Sequence, residues 1–128
     1  MAELAFVKKV AEQAGVADDR AVALTEATLS TLAARLSGGE AADLADRVPE
    51  QFRPLLIKIQ ENAEPLSFDD FVARVAEQAE VPADVATRGV GAVLRAMHTT
   101  TGQREFDEFM AQLPREFGQA VRAMPQRG

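Results

Sequence analysis

Apolar residues along this chain fall in helical rather than alternating order. In the first segment Phe6, Val7, Val10, Ala11 and Ala14 occupy i, i+1, i+4, i+5 and i+8, the spacing of a helix with one buried face. Further on, Phe71, Val72, Val75, Ala76 and Ala79 repeat it. The stretches are near-copies: FVKKVAEQAGV (6–16) and FVARVAEQAEV (71–81) are identical at eight of eleven positions, at an offset of 65. Without a gap, the same offset pairs Asp19 with Asp84, Leu29 with Leu94, Glu40 with Glu105, Pro49 with Pro114 and Phe52 with Phe117. One register held over more than 50 residues implies an internal duplication. The expected architecture is all-α, a helical bundle of two tandem pseudo-symmetric repeats with three to four helices each. The repeats span 1–62 and 67–128, joined by a polar, proline-containing linker at 63–66, and pack as one unit.

Local signals divide each repeat. Gly15 suits the left-handed residue that ends a first helix. A second, longest helix starts near Asp18 and Asp19, whose carboxylates suit free amides and the positive end of the dipole, and continues through Leu24, Leu29, Leu32 and Leu36. In the second repeat Pro82 is placed at N1, with Ala86, Val90, Val93, Leu94 and Met97 as the apolar stripe. Ser37-Gly-Gly-Glu40 reads as a capping box that opens a short helix through Val48, and Ser67 with Asp70 resembles another. The counterpart of the short helix carries Phe106, Phe109, Met110 and Leu113. Pro49 and Pro114 would break it and start a last helix, over PEQFRPLLIKI and PREFGQAVRAM.

Composition narrows the chemistry. The 128 residues are 47% hydrophobic and 27% charged with a net charge of −6, a globular rather than a disordered profile. A chain of this size buries roughly two-thirds of its unfolded surface and needs no metal or disulfide staple. There is no Cys, Trp or Tyr and only one His. Thiol nucleophiles and thiolate metal sites are thereby excluded, and a reducing cytoplasm is compatible. The start MAELAFVKKVAEQAG has charges among its apolar positions, unlike a secretory signal, and no 18-residue apolar run exists. A soluble cytoplasmic protein is expected, with no membrane association.

Each candidate for catalysis has a plainer explanation. His98 lacks a carboxylate at i±3 or i±4, its counterpart is Ala33, and it reads as a solvent-side residue near a helix C-terminus. Asp18-Asp19 and Asp69-Asp70 sit at helix starts, where capping accounts for them, and neither stretch has a calcium-loop pattern. Neither Ser37-Gly38-Gly39-Glu40 nor the Gly89/Gly91 stretch matches a phosphate loop. Glycine inside a helix costs about 1 kcal/mol relative to alanine, so Gly89 and Gly91 imply close packing of another helix, or a hinge or groove. The 14 basic residues are dispersed among 20 acids, which argues against nucleic-acid binding. No catalytic, cofactor or metal residues are assigned.

The pattern F-x-x-x-V-A-E-x-A-x-V, the long helix after it, and LSGGEAADLADRVPEQFRPLL resemble a bacterial domain family of unknown function, DUF2267. The resemblance covers nearly the whole chain and implies a compact all-helical protein with this duplication. It brings no activity, ligand or catalytic residue. The second repeat departs from it, with Gly102-Gln-Arg-Glu105 where the first has SGGE. An alanine-rich composition with Arg over Lys fits a high-GC bacterium.

Two functional expectations follow. The first is a non-enzymatic module that binds a protein partner or self-associates, through apolar residues near the repeat ends: Phe52, Leu55, Leu56 and Ile59, with Phe117, Val121 and Met124. The same residues could instead pack the repeats together. The second is a carrier or sensor of a small apolar ligand held between the repeats, with Gly89 and Gly91 making room. An enzyme would need carboxylates from both repeats to converge in a buried cleft.

Overall fold

In a computed structural model of the chain, residues 2–57 and 62–124 are described, the side chains of residues 2 and 3 excepted. Among them every regular element is helical. The helix α1 spans Ala2–Ala14, α2 Asp18–Arg35 and α3 Gly38–Ala45, followed by a 3-10 helix over Glu50–Leu56. After the linker come α4 (Phe68–Ala79), α5 (Ala83–Thr99), α6 (Gln103–Met110) and α7 (Arg115–Arg122). None of the described helices is long and apolar enough to cross a membrane.

The expected faces are the buried ones. Phe6, Val7, Val10, Ala11 and Ala14 of α1 are buried, as are Phe71, Val72 and Val75 of α4, with Ala76 and Ala79 half-buried. The long helices α2 and α5 pack on each other, and most of the other helices pack on one or both of them. Helix α1 lies on α5 and α2, α4 lies on α2 and α5, the 3-10 helix packs on α2, and α7 packs on α5. Buried residues before and after the linker form one continuous core.

Several starts differ from expectation. Ala17, not an aspartate, is the N-cap of α2, so Asp18 and Asp19 fall inside the first turn. Asp18 pairs there with Lys8 at 3.3 Å, and Asp19 Oδ1 accepts from the Arg20 amide at 2.9 Å. Pro49, Pro82 and Pro114 are N-caps rather than N1 residues: their fixed φ is compatible with ψ near 150–160°, and their carbonyls accept the first helical bonds from Phe52, Ala86 and Phe117. Ser37 and Glu40 close a complete capping box. Ser67 accepts from the Asp70 amide at 3.1 Å, but aspartate is one methylene shorter than glutamate and does not close the box. Helix α3 stops at Ala45, short of Val48.

The helix over Glu50–Leu56 is 3-10 rather than α because Pro54 lies inside it. Proline offers no amide to the preceding turn, and its ring strikes the carbonyl four residues back. Its expected continuation through Lys58 and Ile59 lies outside the described residues. Helix α7 contains no proline and is a regular α-helix.

Both first helices end in a left-handed residue, Gly15 with φ 70° and Glu80 with φ 57°. The next residue returns an amide to the last turn in each case, Val16 to Ala11 O and Val81 to Ala76 O. A side chain in this conformation costs about 1–2 kcal/mol, which glycine avoids. Gly15→Ala is therefore expected to lose about 1 kcal/mol although space around it is open, whereas Glu80→Gly should be neutral or stabilising. Urea midpoints of the two variants check the opposite signs.

Candidate functional site

The residues expected to form a partner surface are in the core. Phe52, Leu56, Phe117, Val121 and Met124 are buried and Leu55 is half-buried; Ile59 lies outside the described residues. Phe52 faces Phe6 with ring centroids 6.0 Å apart, while Phe117 meets Phe68 and Phe71 edge-on, both at 4.9 Å. Their apolar surface is taken up within the chain. Gly89 and Gly91 likewise mark contact rather than a hinge or a void. A Cβ at Gly89 would stand 2.6 Å from Leu24 Cδ2, and one at Gly91 2.6 Å from the Ala120 carbonyl oxygen.

His98 is half-buried rather than solvent-side. It stacks on Phe106 with centroids 4.3 Å apart and planes 8° from parallel, and Nε2 lies 2.8 Å from Gln103 Oε1. These contacts tie the end of α5 to the start of α6. Among the described residues no group of three or more His, Asp and Glu could hold a metal ion.

What the structure does present is a surface groove of about 730 Å³. Its floor is Ala5 and Phe6 of α1 with Val48 and Pro49, and one wall is the end of α5, Thr99 and Thr100. Lys9, Asp46, Arg47, Glu50 and Arg53 line its charged rim. Two polar contacts border that rim: Arg53 Nε donates to Ala45 O at 3.1 Å, and Thr100 Oγ1 lies 3.0 Å from Arg47 O and 3.0 Å from Met97 O, its one proton shared between them. The second contact links the end of α5 to the turn after α3, so the groove is built from both halves of the chain. Sequence reasoning missed it because its members lie far apart in the chain. The one available signal was a cation at equivalent positions in the two first helices, Lys9 and Arg74.

A second cavity, of about 550 Å³, lies at the other end of α1 between Gln13, Arg88 and Met124. Arg88 Nε donates to Ala14 O there at 3.2 Å, and Gln13 Oε1 is buried without a hydrogen-bond partner.

Arg74 shows what its position can do. Its guanidinium grips Glu64 of the linker with two bonds, Nη1 to Oε2 at 2.9 Å and Nη2 to Oε1 at 3.2 Å. The hydrogen bond to Glu64, reinforced by its charge, holds the Arg74 pKa above the ordinary arginine value. The Glu64 amide donates to Ala34 O at 2.9 Å, which fixes the linker against the end of α2.

Fold and groove together define an all-helical chain with an open groove on its surface. The chain belongs to the family described as "Uncharacterized conserved protein (DUF2267)", whose profile matches residues 4–120. No curated protein matches the chain.

Proposed function

We propose that the chain is a non-enzymatic interaction module, built of two copies of one four-helix plan, that receives a protein partner in the groove beside α1. Element bounds support the duplicated plan: α1, α2, α3 and the 3-10 helix recur as α4, α5, α6 and α7 with starts and ends displaced by 65 residues to within one or two positions. Packing supports it too, since the partners exchange in the same way. Helix α1 lies on α5 as α4 lies on α2, and the 3-10 helix lies on α2 as α7 lies on α5. A cytoplasmic, bacterial setting, suggested by the cysteine-free, arginine-rich composition, belongs to the same proposal.

The observation that carries the function is the groove itself, an apolar floor under a charged rim and open to the surface. Such a surface suits a side chain or peptide from another protein better than a sequestered ligand. A carrier of a small apolar molecule is less well supported, because Leu24 and Ala120 fill the space at Gly89 and Gly91.

Affinity capture from native lysate tests the proposal, with the wild type beside a Lys9→Glu/Arg53→Glu variant of equal thermal stability. A partner retained by the wild type and lost by the variant is the expected result. Equal retention by both, or no partner together with a monomeric mass in light scattering, overturns it. A small-molecule adduct in native mass spectrometry would instead support the carrier.

A further inference from the structure

We draw no further inference here: the strongest candidate, the cavity of about 550 Å³ at the end of α1 beside Gln13 and Met124, has its guanidinium, Arg88, already engaged by the Ala14 carbonyl and Asp84, and nothing among the described residues shows what covers it.

Discussion

Phe117→Ala is expected to destabilise the protein by about 3–5 kcal/mol, the usual cost of emptying a fully buried phenylalanine site. Phe117 has no exposed surface and sits between Phe68 and Phe71, each meeting it nearly at right angles. Edge-to-face pairs add roughly 0.5–1.5 kcal/mol beyond area burial, and this residue makes two of them. Phe52→Ala provides the control. That ring is almost as buried, yet its aromatic partner is Phe6 alone, at 6.0 Å and a tilt of 49°. The Phe52 variant should therefore retain more stability. Equal losses in urea denaturation would show that the ring stack does not anchor α7.

Gly91→Ala is the second large effect, and its sign is opposite to the one that helix propensity gives. In an open helix the change would gain about 1 kcal/mol. Here the new methyl group would meet the main chain of α7, with Ala120 O at 2.6 Å and its carbonyl carbon at 3.0 Å. A backbone cannot rotate away, so α7 must move off α5. A net loss of about 1–3 kcal/mol is expected, in the range of an overpacked core. Gly89→Ala meets the end of a leucine side chain instead, Leu24 Cδ2 at 2.6 Å, and should cost less because that end can turn. Thermal unfolding of the two variants side by side checks the order. A Gly91→Ala protein as stable as the wild type would contradict the seating of α7 described above.

The residues foretold the fold well wherever the information was local. The i, i+4 spacing of Phe6 and Val10 placed α1, Ser37 and Glu40 opened α3, and Gly15 ended the first helix. Pro54 stands inside the expected last helix of the first half, and the 3-10 form it imposes does not follow from Pro49 as a start signal. The site was harder to foresee. Phe52, Phe117 and Met124 are apolar and stand near the ends of the two halves of the sequence, a description that fits core and interface residues equally well. Only packing separates the two, and it puts them inside. The groove depends on Thr100 reaching Arg47, more than fifty positions earlier in the chain, a pairing that no periodicity encodes. Gly91 lies between these cases. Its presence inside a helix is compatible with a close neighbour or with a hinge or groove, and the neighbour, the Ala120 carbonyl, follows from the packing of α7 on α5.

The crosswise packing of α1 on α5 and of α4 on α2 has a consequence for how the chain holds together. Each half of the chain packs its first helix against the long helix of the other half as well as against its own. Severed at the linker, the two pieces would have to find one another in solution, and their assembly would obey a dissociation constant. The intact linker replaces that encounter with an effective local concentration on the order of millimolar. Association thus becomes part of folding, and stability becomes independent of dilution. Glu64, held by Arg74 and by the Ala34 carbonyl, fastens the connection before α4 to the body of the protein.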